Sequence, residues 1–452
     1  MSKTSTESKK KGLKRFPWLE YKLHIVVLIL VIIAQLIGIQ RIYLTDTVSI
    51  VIMPLLYAMI LGLVCYLAKP IKFIGSHESK VAEGLMLLFI GPLLAKLAVS
   101  SGQALDILVQ VGPAILLQEI GNLGTIFFAL PIALILGFKR ETIGMTSSIC
   151  REPNIGIIVD KFGFKSPETR GVLTVFVIGT IIGTVFISFL ASLAMSTPIH
   201  PYALAMASGV GSASMNAAAI APLVSTYTNM TGTIEAFAGF SNLISFCFGL
   251  YLTIFVGVPL AEKLYRFLEP KIGRTTSATF SKEDYSEEHM KKIDLNKEIN
   301  KLTKKRVLDW VMLLIIFSVL VVIGNYVGYG KPMLPSFIGM LLLSAMALVG
   351  VICERVLPHH ISSIIYVSII GLLLSMPWSP TSSFIVSYVS NIDLLSIVTV
   401  FLGYVGIAIG RDWAQFKKLG WRGVIVTMFV ITGTYLGSAL IAHGVLFFTG
   451  SI

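Results

Sequence analysis

Glu119 stands in the run Gln118-Glu-Ile-Gly-Asn-Leu-Gly-Thr125, within a long apolar stretch at about 105–138. At 1.5 Å per residue it lies roughly 20 Å along that stretch, near the middle of a bilayer. An ionised group at that depth is costly and must be neutralised or paired. Glu119, with the amides of Gln118 and Asn122 beside it and Thr125 one turn beyond Asn122, is therefore the candidate carrier of a coupling cation or proton. The plainer role is a structural partner of Lys96 or Arg151.

Two further stretches are too rich in Gly, Ser, Asn and Pro for plain apolar spans: Met145–Asp160 (MTSSICREPNIGIIVD) and Ala207–Val224 (ASGVGSASMNAAAIAPLV). Pro153 disfavours helix at Glu152 and suits the first turn of a new half-helix. The free N–H groups of Asn154 and Ile155, beside Arg151, would make an anion site. In the second stretch the glycines permit a break, and Ser212, Ser214 and Asn216 offer oxygens to an ion or a substrate hydroxyl. The plainer alternative is that small residues allow close helix packing. Lys96, near the end of its span, is expected to snorkel to the interface. Asn242 is a weaker candidate, and His443 reads as a satisfied structural histidine.

Catalytic chemistry finds no foothold. His359-His360 lack further metal ligands, and Gly209-x-Gly211 falls in a broken membrane segment where a phosphate loop is out of place. Cys65, Cys150, Cys247 and Cys353 fall in apolar or small-residue segments and read as core residues. The expectation is a protein that is not an enzyme, with no cofactor and no resident metal.

The elements that must position these residues follow from composition. Of 452 residues 55% are hydrophobic and 13% charged, against roughly 25% charged in soluble domains. Close to half of the charges lie in 1–22 and 262–306. Apolar stretches occur at about 24–44, 47–67, 82–101, 105–138, 169–196, 233–261, 306–328, 333–353, 359–377, 392–410 and 421–448. The expected fold is an all-α polytopic membrane protein with about eleven transmembrane helices. Its parts are a basic cytoplasmic N-terminus (1–22), a first membrane half (23–261), a charged cytoplasmic linker (262–306) and a second membrane half (307–452). The net charge of +12 fits cytoplasmic retention of Lys and Arg beside spans rather than nucleic-acid binding.

Loop charge sets the topology. With the N-terminus inside, Lys69, Lys72, Lys80, Lys139 and Arg140 fall inside, and Lys161, Lys165 and Arg170 stay inside only if Met145–Asp160 dips in and returns. The same count leaves Thr226–Thr233 outside, so two re-entrant segments enter from opposite faces. Gly102–Gly112 and Gly410–Gly420 share a glycine spacing and join segments of matching length. They mark copies at about 24–138 and 332–448 that begin on opposite sides, an inverted repeat of the kind transporters use.

Three motifs in order carry a resemblance: Ser147-Ser-Ile-Cys-Arg-Glu-Pro-Asn154 through Gly163, Val177-Ile-Gly-Thr-Ile-Ile-Gly183, and Ala205 through Asn216. Over roughly 145–260 they resemble the second half of the LrgB/CidB family, which includes the plastid glycolate/glycerate translocator. That family typically has a Ser-His pair at the second broken segment, where this chain has Ser212 to Asn216 without histidine. The whole chain is similar to an uncharacterised bacterial family of inner-membrane proteins sharing the Gln118–Thr125 and Arg151–Asn154 motifs. More broadly it resembles the cation:proton antiporter/anion transporter superfamily. The resemblance implies a secondary transporter of a small organic anion, a carboxylate being the favoured class, coupled to sodium or protons in a bacterial cytoplasmic (inner) membrane. The alternatives are a non-transporting modulator of the LrgB/antiholin type and a cation:proton antiporter. Expected partners are the anion, the coupling ion and membrane lipid, with a homodimer left open.

Overall fold

Long runs of Leu, Ile, Val and Phe form helices wherever glycine or proline does not interrupt them, because only helices satisfy the backbone within lipid without a neighbour. The computed structural model describes residues 17–45, 49–68, 74–147, 152–163, 165–274, 303–357 and 361–452. Arg151, Cys150, His359, His360 and most of the charged linker lie outside the described residues.

The chain opens with α1 (Tyr21–Ile37), a hairpin of β1 (Gln40–Tyr43) and β2 (Ser49–Ile52), α2 (Pro54–Leu67) and α3 (Ser76–Gln103). Next come α4 (Leu105–Gln110), α5 (Gly112–Leu117), a 3-10 turn over Gln118–Leu123 and α6 (Gly124–Ile135). A group of shorter pieces follows: α7 (Glu141–Thr146), α8 (Glu152–Phe162), α9 (Pro167–Ile178), a π segment (Gly179–Gly183) and α10 (Thr184–Ala194). Then come α11 (Pro201–Ser208), α12 (Ala213–Thr226), α13 (Thr231–Leu252), a second π segment (Thr253–Gly257) and α14 (Val258–Ile272). The remainder is α15 (Lys304–Tyr329), α16 (Met333–Val356), α17 (Ser363–Ser375), α18 (Ser382–Val389), α19 (Leu394–Ile409) and α20 (Trp413–Phe448), the last kinked at Gly420.

Seven described helices or helix runs are long and apolar enough to cross a membrane. The pair α18–α19, bent by 66°, makes an eighth if counted as one span. Three more apolar helices, α1, α2 and α17, are shorter. The chain is thus a helical multi-pass membrane protein.

Two boundaries differ from the sequence expectation. The first two apolar stretches are not helical throughout: α1 stops at Gly38 (φ 70°), and β1 pairs antiparallel with β2, Gln40 opposite Ile52. Proline at Pro54 then starts α2 afresh. The expected linker boundary at 262 is instead mid-helix. α14 continues to Ile272, because Leu264, Tyr265 and Leu268 pack against the apolar cluster of Ile126, Leu130, Ile143 and Ile155. Its opposite face carries the charges, and Glu262 lies 3.8 Å from Arg140.

A close backbone contact in the molecule's middle is the crossing of the 118–124 region with α20. A Cβ on Gly124 would overlap the Gly433 carbonyl oxygen, and one on Gly121 would overlap Ser438 Cα. Glycine at these positions lets two interrupted helices touch backbone to backbone. Elsewhere in the molecule α2 packs on α19, α3 on α17 and α13, and α11 on α13 and α20.

Candidate functional site

At the interruption between α5 and α6 the regular i to i+4 ladder gives way to 3-10 geometry, which turns Gln118, Glu119 and Asn122 together. Glu119 is 5% exposed and Gln118 fully buried. The carboxylate collects donors: Gln118 Nε2 at 2.8 Å and Ser245 Oγ at 2.6 Å on Oε1, and Asn122 Nδ2 at 2.8 Å on Oε2. Gln118 Nε2 also donates to Ser241 Oγ at 2.8 Å. With their amide nitrogens turned to the carboxylate, Gln118 Oε1 and Asn122 Oδ1 are buried acceptors without a partner. A buried carboxylate with side-chain oxygens close by can hold a monovalent cation.

Thr125 completes the expected set. Its hydroxyl donates to Thr146 O at 2.7 Å, tying α6 to the end of α7. Asn154, 5% exposed, donates from Nδ2 to Ser147 O at 3.0 Å across the gap between α7 and α8. Asn122, Thr125, Thr146, Ser147 and Asn154 line one pocket, closed on its apolar side by Leu123, Ile126 and Leu252. Gly249, with Thr253 and Gly257, which bound the second π segment, forms its remaining wall. Ile155, expected to contribute a backbone N–H, buries its side chain in the apolar cluster behind the pocket.

The second broken segment is separate from that pocket. Gly211 takes φ 115°, the left-handed conformation that a side chain rarely adopts, and α12 restarts with Ser212 as its cap, the hydroxyl accepting from Met215 N at 3.4 Å. Ser212 and Ser214 hydroxyls lie 3.0 Å apart, and Asn216 is fully buried. None of these three lines the pocket of Asn154. Helix α13 connects the two regions: Ser245 reaches Glu119, Ser241 reaches Gln118, and Asn242 Nδ2 donates to Gly209 O at 2.8 Å. Asn242 thus holds the end of α11, a larger part than its lone mid-span position suggested.

Lys96 does not snorkel. It is 8% exposed and lies 3.7 Å from Glu235, itself 3% exposed, while Ser100 Oγ donates to the same carboxylate at 2.6 Å. The stem points inward because α17 and α13 cover α3 on both sides. Lys96 is therefore the partner of Glu235. Glu235, Ser241 and Ser245 are not among the residues that the sequence singled out, although a carboxylate within an apolar helix and a serine pair four residues apart are a readable signal. His443 meets its expectation: its Nδ1 accepts from His200 N at 3.2 Å.

A multi-pass helical membrane protein with a buried carboxylate in an interrupted helix is the class that this fold and site define. Residues 32–267 match the profile of a family described as protein of unknown function (DUF3100), and the chain belongs to that family. The matched stretch contains Glu119, Asn154, Asn216 and Asn242. No curated protein and no solved structure matches the chain.

Proposed function

We propose that the protein is a secondary transporter moving a small organic anion, a carboxylate being the favoured class, across a bacterial cytoplasmic membrane with sodium ions or protons. The observation that carries this reading is Glu119, a buried carboxylate ringed by Gln118, Asn122 and Ser245 at a helix interruption. Such a group inside apolar spans is by default functional. Its neighbour Asn122 lines the pocket that also holds Asn154, where the first turn of α8 would present N–H groups to an anion. In this reading Arg151, with Asn154 and Ile155, binds the substrate anion, and Ser212 and Ser214 face it from the second broken segment during the cycle.

The organisation proposed is eleven spans, reached when the bent pair and the three shorter helices all cross, with re-entrant segments at α7–α8 and α11–α12 and an inverted repeat. Support for the repeat comes from reciprocal packing. The second helix of the first copy, α2, packs on the third of the other, α19, and α3 packs on α17. A Cβ on Gly102 would meet Ser375 at the end of α17, and one on Gly410 would meet Tyr66 at the end of α2.

The test is flux of mono- and dicarboxylates into liposomes carrying the purified protein under imposed sodium or proton gradients. Wild-type protein should accumulate a carboxylate, and Glu119→Gln should lose gradient-driven accumulation at near-normal folded yield. Undiminished accumulation by Glu119→Gln removes the coupling role; no flux of any carboxylate by the wild type favours the non-transporting modulator.

A further inference from the structure

The break between α11 and α12 holds two amide oxygens without hydrogen-bond partners, Asn216 Oδ1 and Asn242 Oδ1. Both side chains are buried, at 0% and 1% exposure. Their orientation is fixed by their nitrogens: Asn242 Nδ2 donates to Gly209 O at 2.8 Å, and Asn216 Nδ2 donates to Ala238 O at 3.4 Å. Flipping either amide would set oxygen against a carbonyl oxygen, so both Oδ1 atoms must remain acceptors facing elsewhere. Ala238 and Asn242 are one turn apart on α13, which brings the two amides to the same helix face.

Native interiors do not leave pairs of acceptors unfilled without a reason. The helix end adds to the demand: α11 ends at Ser208 inside the protein, and although Met206 O and Ala207 O accept from Gly209 N and Val210 N, the negative end of its dipole points into the break. Oxygen acceptors gathered at a half-helix C-terminus suit a hard cation. The unpartnered set is neutral amide oxygen, which selects a monovalent ion, since divalent cations call for carboxylates.

We infer that this break binds one sodium-sized cation through Asn216 Oδ1 and Asn242 Oδ1, beside the negative end of the α11 dipole, at a position separate from Glu119. The two positions touch through adjacent residues of α13, because Ser241 receives the Gln118 amide while Asn242 holds Gly209. The ion joins α11, α12 and α13 where the chain is broken, and this binding does not require that the protein transport anything.

The experiment is the thermal unfolding midpoint of the purified full-length protein in sodium chloride against choline chloride at constant ionic strength. A ligand of the folded state raises the midpoint in a concentration-dependent way. Sodium should raise it in the wild type and still raise it in Glu119→Gln. Asn242→Ala, combined with Glu119→Gln, should abolish the remaining shift. Asn216→Asp, close to isosteric and carrying a negative charge, guards against misfolding of the alanine variant and should lower the half-maximal sodium concentration by about tenfold. A wild type indifferent to sodium and choline overturns the inference and assigns the two oxygens to water. So does complete loss of the sodium shift in Glu119→Gln alone, or an unchanged half-maximal concentration in Asn216→Asp. Carboxylate flux that depends on Glu119 would survive any of these results, so the two readings fail separately.

Discussion

Ser245 donates to Glu119 Oε1 at 2.6 Å, joining the middle of α13 to the interruption that follows α5. The bond couples two elements that lie far apart in sequence, and it places the carboxylate under the control of whichever way α13 moves. A hydroxyl that steadies a carboxylate competes with the ion the carboxylate would take up.

Ser245→Ala should therefore keep the fold, because Gln118 and Asn122 still reach the carboxylate. Buried hydrogen bonds in membrane proteins and those to charged groups bracket the effect at about threefold to tenfold in half-saturating ion concentration. Ion-dependence curves of carboxylate uptake measure it. An unchanged curve would make Ser245 a packing residue.

Gly124 has no room for a methyl group, since the new Cβ would overlap Gly433 O and neither backbone can retreat without parting the crossing. Gly124→Ala should lower folded yield in detergent and reduce the unfolding midpoint by several degrees, consistent with overpacking costs of about 1–3 kcal/mol. Gly112→Ala is the control, with no atom within 4 Å of its new Cβ. Equal behaviour of the two variants would contradict the close crossing.

The apolar periods made the spanning helices legible, and the run Gln118–Thr125 made the interruption legible, because polar and glycine residues cannot sit together inside hydrocarbon unless the surrounding protein satisfies them. The hairpin of β1 and β2 was not legible: Ser49–Ile52 is as apolar as a helix start, and only Gly38 ahead of it and pairing with Gln40–Tyr43 decide its form. The inward course of Lys96 was hidden for a related reason. A lysine near a span end can bend either way, and the choice belongs to Glu235, which arrives from a helix some 140 positions later. Ser241 and Ser245 carried a visible spacing, but their partners come from tertiary packing.

Lys96 and Glu235 make a pair whose loss should be asymmetric. Lys96→Met leaves a buried carboxylate with Ser100 as its remaining described donor, and breaking such a pair costs about 3–5 kcal/mol in proteins generally. The double variant Lys96→Met with Glu235→Gln removes both charges and should recover much of the lost unfolding midpoint. Thermal unfolding of the four proteins in the cycle gives the coupling, and simple additivity of the two single effects would deny that the pair interacts.

Acid should weaken the protein at the start of α11. His200 Nδ1 accepts from Tyr202 N at 3.2 Å and caps the helix, while His200 N donates to His443 Nδ1. Capping by Nδ1 requires the neutral ring, with its proton on Nε2. Burial, and secondarily the neighbouring His443, hold the His200 imidazole below its ordinary value of 6.5. An imidazolium there would also oppose the positive end of the α11 dipole. With the folded value below the unfolded one, the unfolded chain binds more protons through the window beneath about pH 6.5. The stability that His200 contributes is thus fully present above that pH and lost as pH falls through it. The unfolding midpoint of the wild type should drop between about pH 7 and about pH 5. His200→Asn, whose side-chain carbonyl can accept from Tyr202 N without titrating, should flatten that drop while leaving the midpoint at neutral pH nearly unchanged. An equally steep fall in His200→Asn would move the acid sensitivity to another group.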